Sequence, residues 1–370
     1  MAHSLFAVAV VVGALGVGAC SRTTSAPRDE ERAGDEHPVA PETVGLDPTV
    51  IAGVVRQGET DPRRDLQSLV VARRGTVAVE HYFHGARRDD LHDIRSATKS
   101  LTGTLVGIAL EDGKLQSLDQ RVRPLLGAPA SGDARWNELT VRHLLEMRSG
   151  LDANDWIDDS PSPGTEARME AASDRLRFAL DTPMRSKPGD TWQYASVNTL
   201  LLGRIVAAAT GRPLETYAEQ KLFSALGITR YEWLRDAQGH VVPQGNLRLR
   251  SRDLVKLGIL FAAGGRWNGQ QLVARAWIDS ATRERTTFEP DPATGLGELY
   301  RGYGDHWWTG RATVGTRTVA FYFASGNGGQ RLFVVPSEEL VVVVTSTAYN
   351  RGYAHRRAHS LLEGILSALR

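Results

Sequence analysis

Strand patterns stand at both ends of this chain and helical patterns fill the stretch between them, which limits the folds open to it. Leu69 to Ala72, the tight turn Arg73-Arg74-Gly75, and Thr76 to Phe83 read as strand, turn, strand. After Tyr303 the strand signal returns, in Thr318 to Phe323, Arg331 to Val335 and Leu340 to Thr345; the last two flank the turn Pro336-Ser337-Glu338-Glu339. From Ser96 the spacing becomes helical. Leu101, Leu105 and Ile108 recur four and three apart, and Gly113 follows as a stop. Leu139 to Met147 and Thr199 to Ala208 continue the helical pattern, and Arg356 to Leu369 closes the chain as an amphipathic helix. The expectation is an α+β fold. Its terminal strands pair into an antiparallel sheet flanked by helices, and residues 110 to 285 form an inserted, mostly helical lobe, so that each amphipathic face is buried. At 370 residues the chain is near the size at which one core divides into two lobes. A cleft between lobes is the usual place for a site.

The N-terminal stretch reads differently. Leu5 to Gly18 is an apolar run rich in Val, Ala and Gly. It is shorter than the roughly 20 residues a membrane-spanning helix needs, and it fits the apolar region of a secretory signal. It ends in Val17-Gly18-Ala19-Cys20, which resembles a bacterial lipoprotein box, although the preceding Met-Ala-His-Ser carries no Lys or Arg. The sole cysteine thus stands where such proteins are lipidated. We expect residues 1–20 to be a lipoprotein-type signal, residues 21–43 a polar disordered tether containing Pro27 and Pro38, and residues 44–370 the folded domain. The implied location is the bacterial envelope, with a lipid anchor at Cys20 as the membrane contact. One cysteine excludes an intramolecular disulfide, and a net charge of +1 gives no bulk field selecting nucleic acid.

Ser96-Ala97-Thr98-Lys99 is a Ser-x-x-Lys motif at a helix start. Residues three apart share a helix face, so Lys99 reaches the Ser96 hydroxyl. A hydroxyl becomes nucleophilic only when a base takes its proton, and a lysine serves as that base only when neutral. Burial or a nearby cation is therefore expected to lower its pKa. The helix N-terminus favours negative charge developing at Ser96. With five lysines in the chain, about 0.3 chance matches to this motif are expected at ordinary serine usage, so its neighbours carry the argument. Tyr194-Ala195-Ser196 follows Lys187-Pro188-Gly189-Asp190, and a loop tyrosine can share a proton with Lys99 as a coupled pair. Ser325-Gly326-Asn327-Gly328-Gly329-Gln330 lies between two strand candidates, where glycines let a backbone approach a ligand.

These three segments resemble the motifs of the serine β-lactamase and penicillin-binding-protein superfamily. The likeness is to class C enzymes, serine carboxypeptidases, and related esterases and aminohexanoate-oligomer hydrolases. Asp93 to Ser100, Leu139 to Leu145 with Ser149-Gly150-Leu151, Leu222-Phe223 with Leu226-Gly227-Ile228, Ser251 to Leu254, and Gly302-Tyr303-Gly304 before Trp307-Trp308 also look like family segments, in order, over residues 45 to 368. The resemblance implies that Ser96 attacks a carbonyl and forms an acyl-enzyme, and that Lys99 and Tyr194 handle the proton. It implies an oxyanion hole from the N–H groups of Ser96 and Gln330, with Ser196, Asn327, Gly328 and Gly329 meeting substrate. Two positions depart from the family pattern. Ser196 stands where Asn is frequent, with Asn198 two further on, and Asn327 stands where Lys or His is frequent. A neutral Asn327 offers no charge-assisted bond to a substrate carboxylate, so short esters are expected to be favoured over β-lactams.

The expected substrate is a small ester or amide, with no cofactor and no metal. His81 and His84 lie on opposite faces of a strand. Asp155, Asp158 and Asp159 read as a solvated acidic loop rather than a glycosidase carboxylate pair. Trp192, Trp233, Trp307 and Trp308 read as core, with a pocket wall as the alternative. The competing functions are a β-lactamase or D-alanyl-D-alanine carboxypeptidase and, from another class, a catalytically silent envelope-binding lipoprotein. Retention of Ser96, Lys99 and Tyr194 together argues against silence.

Overall fold

The computed structural model describes residues 37–155 and 165–370. The apolar run, Cys20, Asp158 and Asp159 lie outside the described residues. The last part of the expected tether is built into the fold. Val39 donates its N–H to Val77 O at 3.0 Å, Pro41–Val44 is a 3-10 turn, and Val44 is buried. Helix α1 (Pro48–Glu59) follows, with Asp47 Oδ1 accepting from Thr49 N at 2.8 Å and Val50 N at 3.2 Å. Asp before Pro at a helix start is a capping signal.

The strands at the two ends of the chain do pair. β1 (Leu66–Arg73) runs antiparallel to β2 (Thr76–Tyr82) and to a strand near the C-terminus. The interior of the chain supplies β3 (His92–Asp93), α2 (Thr98–Glu111), α3 (Val141–Leu145), α4 (Ser196–Thr210), β4 (Tyr231–Trp233), β5 (Leu247–Leu249) and α5 (Ser251–Ala262). Next come β6 (Thr286–Thr287), β7 (Gly302–Tyr303), β8 (Trp308–Val314), β9 (Arg317–Gly326), β10 (Gln330–Val335) and β11 (Leu340–Ser346), then α6 (Tyr353–Ser367). The main sheet has eight strands in the order β2-β1-β11-β10-β9-β8-β7-β6, antiparallel throughout.

Alternation along the central strands divides two cores. Val70, Leu332, Val334, Val341 and Val343 join the apolar side chains of α2, α4 and α5, whereas Leu69, Phe333, Val335, Val342 and Val344 join α1 and α6. Period-two alternation requires this split. Two features depart from the expected lobe. α5 lies on the sheet, where a Cβ at Gly258 would stand 2.3 Å from Val341 Cγ1. A second, three-stranded sheet, β3-β5-β4, takes two of its strands, β4 and β5, from the sequence expected to be helical. β3 pairs with β5 through His92↔Leu249 and Asp93↔Arg248, which fixes the segment entering Ser96.

Candidate active site

Ser96 lies in a 3-10 turn, Arg95–Ala97, that runs into α2. Arg95 adopts φ 51°, a left-handed conformation uncommon for such a side chain. Local bonds hold it there: Arg95 N donates to Asp93 Oδ1 at 2.8 Å, Thr98 Oγ1 donates to Arg95 O at 2.7 Å, and Ile94 N donates to Leu247 O at 3.0 Å. α2 is buried along Thr98–Ala109, so Ser96 stands at the mouth of a central helix.

Lys99 is 2% exposed. Its Nζ donates to Ser96 Oγ at 2.9 Å and to Gln244 O at 3.0 Å. Tyr194 is within hydrogen-bonding reach of both Ser96 and Lys99, and Lys99 Nζ lies 5.0 Å from the centre of its ring. The three residues expected to act together therefore meet. Their protonation differs from the expectation. Burial does push the Lys99 ammonium down, but Tyr194, Glu166 and Asp155 outweigh it and hold the group above its ordinary value. Burial raises the Tyr194 phenol against the opposing charge of Lys99 and the bond to Ser96.

The acidic neighbours were not expected here. The sequence reads Asp155 as part of a solvated loop, yet it is half-buried in the wall of the cleft. Its carboxyl is pushed up to about 7 by burial first and by Glu166 next, with Lys99 opposing. Ser196 N donates to Asp155 Oδ2 at 2.6 Å and Ser196 Oγ donates to Glu166 Oε1 at 2.6 Å. Ser196 is fully buried, so its hydroxyl faces the carboxylates rather than substrate. Asn198 is also fully buried, with Nδ2 against Met147 Sδ at 3.3 Å.

A cleft of about 350 Å³ opens over Ser96, lined by Asp155, Glu166, Tyr194, Thr294, Tyr300, Trp308, Ser325, Asn327, Asn350, Arg351 and His355 among others. A larger hollow of about 520 Å³ lies between α1 and α6, but there Arg357 is paired with Asp61 and Asp65, and the Tyr353 hydroxyl is bound to Asp65. Chemistry rather than size favours the Ser96 cleft. Trp308 supplies part of its wall, while Trp307 packs against Phe261 and Tyr322 in the core.

The glycine hairpin between β9 and β10 corrects several expectations. Gln330 is fully buried and does not line the cleft; its side chain donates to Ser346 O and accepts from Ser346 N. Gly328 and Gly329, at φ 87° and 81°, make the turn. A Cβ on either would press on Ala348–Tyr349 or on Ala354, so they serve close packing and not the cleft. Asn327 does line the cleft, but its amide is engaged. Nδ2 donates to Asn350 Oδ1 at 2.6 Å, and Asn350 N donates to Asn327 Oδ1 at 2.7 Å. Gly326 is where the strand meets the nucleophile segment, because a Cβ there would stand 2.1 Å from Ile94 O. That approach brings the backbone after Gly326 beside Ser96.

His306 was also missed. Leu145 O can only accept, so Nδ1–H donates to it at 2.8 Å and Nε2 accepts from Thr199 Oγ1 at 2.8 Å. Burial pushes the imidazole down to about 3; the neutral ring ties α3 and α4 to the β7–β8 loop behind the site, and the His306 carbonyl accepts from Ser100 Oγ of α2 at 2.6 Å.

A buried serine–lysine–tyrosine cluster, at the start of a central helix and beside the end of an antiparallel strand, defines a serine hydrolase. Residues 51–365 match the beta-lactamase family, and the chain belongs to that family. The 6-aminohexanoate-dimer hydrolase of Paenarthrobacter ureafaciens is 28% identical over 323 residues, 81% of this chain and 76% of that protein. Two solved structures share the fold. A penicillin-binding protein homolog from Caulobacter crescentus aligns with a TM-score of 0.68 at 19% identity, over 90% of this chain and 99% of that one. A family VIII carboxylesterase aligns with a TM-score of 0.67 at 19% identity, also over 90% and 99%.

Proposed function

We propose that the protein hydrolyses carboxylic esters or amides through a covalent acyl-enzyme on Ser96. The observation that carries this reading is Lys99 Nζ at 2.9 Å from Ser96 Oγ, with Tyr194 in reach of both at the floor of a cleft. Before attack the Lys99–Tyr194 pair gives up one proton and becomes the base; the vacancy belongs to the pair, since such close groups titrate together. Ser96 Oγ then bonds to the carbonyl carbon as its proton passes to the pair. The same proton goes on to the leaving oxygen or nitrogen as the scissile bond breaks. Water repeats the sequence and frees the acid. The N–H groups of Ser96 and Asn327 are the proposed oxyanion donors, in place of Gln330, because Asn327 follows the close contact at Gly326. One such donor is commonly worth about 3–4 kcal/mol.

Ester hydrolysis is favoured over β-lactam hydrolysis in this reading. A carboxylesterase and a 6-aminohexanoate-dimer hydrolase are among the similar proteins, and position 327 carries no side-chain cation. The test is intact-mass analysis after fluorophosphonate treatment, beside kcat/KM for a short 4-nitrophenyl ester and a chromogenic cephalosporin. A single adduct, lost in Ser96→Ala, is expected, with the ester the better substrate. An adduct elsewhere, or full turnover by Ser96→Ala, overturns it.

The reading extends to location. Lipidation of Cys20 would tether the domain to a bacterial membrane surface, and stable anchoring needs more than one acyl chain. Cys20→Ser is expected to release the protein from the membrane fraction; an intact N-terminus on soluble cytoplasmic wild type refutes this.

A further inference from the structure

Arg95 stands immediately before the nucleophile, and Tyr349 stands immediately before Asn350, which clasps Asn327. Far apart in sequence, their side chains meet. The Arg95 guanidinium carbon lies 4.4 Å from the centre of the Tyr349 ring, a stacked cation–π contact. Both residues are half-buried. Asp93 Oδ2 lies 3.2 Å from Arg95 Nε and accepts from Asn246 Nδ2 at 3.2 Å, so the guanidinium is held on its own side of the stack as well.

The glycines of the hairpin show what the stack encloses. A Cβ at Gly326 would stand 3.1 Å from Arg95 Cβ, and a Cβ at Gly328 would stand 3.0 Å from Tyr349 Cδ1 and 3.1 Å from Tyr349 N. Arg95 therefore packs on the residue before Asn327, and Tyr349 packs on the residue after it. Asn327 is bracketed between two side chains that stack on each other. The backbone is anchored on both sides. Arg95 N donates to Asp93 Oδ1 at 2.8 Å, Tyr349 N to Thr347 O at 2.8 Å, and Asn350 N to Asn327 Oδ1 at 2.7 Å. Beside the close approach of Gly326 to Ile94 O, the stack is what joins the segment entering Ser96 to the turn that holds Asn327.

We propose that Arg95 and Tyr349 form a clamp that fixes the spacing of the Ser96 and Asn327 N–H groups, so that both face one carbonyl oxygen. This rests on the hydrolase reading and its two donors, and adds two positioning residues to it. Neither is among the described residues that line the cleft. Hydrogen bonds weaken steeply as their angle opens, so a small drift of either segment costs one donor. The φ of 51° at Arg95 fits this role, because such a conformation persists where the surroundings over-determine it. The contact needs the ring face and the cation, not the phenol hydroxyl, since the face of the ring carries the attracting charge.

A double-mutant cycle on the full chain, with 4-nitrophenyl acetate as substrate, tests this. Tyr349→Leu keeps an apolar contact for Gly328 and removes the ring face. Arg95→Met keeps the stem against Gly326 and removes the cation. Each is expected to lower kcat about tenfold, a fraction of the roughly 100-fold that a misplacement of about 1 Å costs. KM is expected to stay unchanged, as for an interaction made only in the transition state. The double variant should be no slower than the slower single one, because residues in contact are not additive. Tyr349→Phe keeps the ring face and should turn over at the wild-type rate. Urea unfolding identifies the folded variants; if Tyr349→Leu fails to fold, Arg95→Met beside Tyr349→Phe carries the test. Wild-type kcat in the folded single variants, a loss confined to KM, losses that multiply in the double variant, or a Tyr349→Phe as slow as Tyr349→Leu overturns the clamp. In each of those cases wild-type turnover and the Ser96 adduct leave the hydrolase reading standing. A wild-type protein with neither turnover nor adduct overturns both together.

Discussion

Gly326→Ala tests whether strand β9 positions the reacting groups. The new Cβ would stand 2.1 Å from Ile94 O, 3.0 Å from Gln330 Cβ and 3.1 Å from Arg95 Cβ. Carbon and carbonyl oxygen normally meet no closer than about 3.3 Å. One side must therefore give by about 1 Å. The carbonyl cannot yield as a side-chain tip would, because Ile94 N is bonded to Leu247 O at 3.0 Å and Arg95 N to Asp93 at 2.8 Å. The displacement thus falls on the register between Ser96 and Asn327. A misplacement of about 1 Å at reacting groups costs roughly 100-fold in rate, and overpacking costs about 1–3 kcal/mol in stability. The assay is kcat and KM on 4-nitrophenyl acetate, with urea unfolding on the same preparation. Gly132→Ala is the control, since nothing lies within 4 Å of a Cβ there. The expected result is a cooperatively folded Gly326→Ala protein with kcat down about 100-fold. A folded variant with wild-type kcat refutes the reasoning.

Glu166→Gln removes one of the charges that raise Lys99 and Tyr194. Both groups then lose protons at lower pH, so the rising limb of kcat/KM against pH is expected to move to lower pH; a limb that stays or moves up contradicts this. Asn350→Ala removes the side-chain acceptor of the Asn327 amide and keeps the backbone N–H that donates to it, and kcat on the same ester is expected to fall by about tenfold, the size of one lost bond at a reacting group; unchanged kcat shows the side-chain bond is idle. Gly107→Ala puts a Cβ 2.2 Å from the Trp277 ring, so urea unfolding is expected to show a loss of about 1–3 kcal/mol; wild-type stability means that the ring moves freely.

Local patterns made much of this protein legible. The strands within β1, β2, β9, β10 and β11 follow from alternation and turn residues, which depend on neighbours in sequence. Ser96 and Lys99 meet because a helical turn puts positions three apart on one face, and their contact at 2.9 Å needs little else. The short strands β3 to β7 were less legible, since pairs such as His92↔Leu249 join residues with no local signal.

What only the tertiary structure decided is the environment of those groups. Asp155 from a loop and Glu166 from the helix Thr165–Ala171 come to Ser196, and their charges join Tyr194 in turning the expected fall in the Lys99 pKa into a rise. The glycines of the hairpin and Gln330 were read as facing substrate, yet folding turned them toward α6 and Ser346, leaving Ser325 and Asn327 at the cleft. Arg331 looks like any strand arginine in sequence; only the helix laid over it makes it a buried cation, one that no carboxylate pairs with among the described residues. Spacing along the chain specifies which residues share a face. Charge and burial depend on distances through space, so the three-dimensional packing had to settle them.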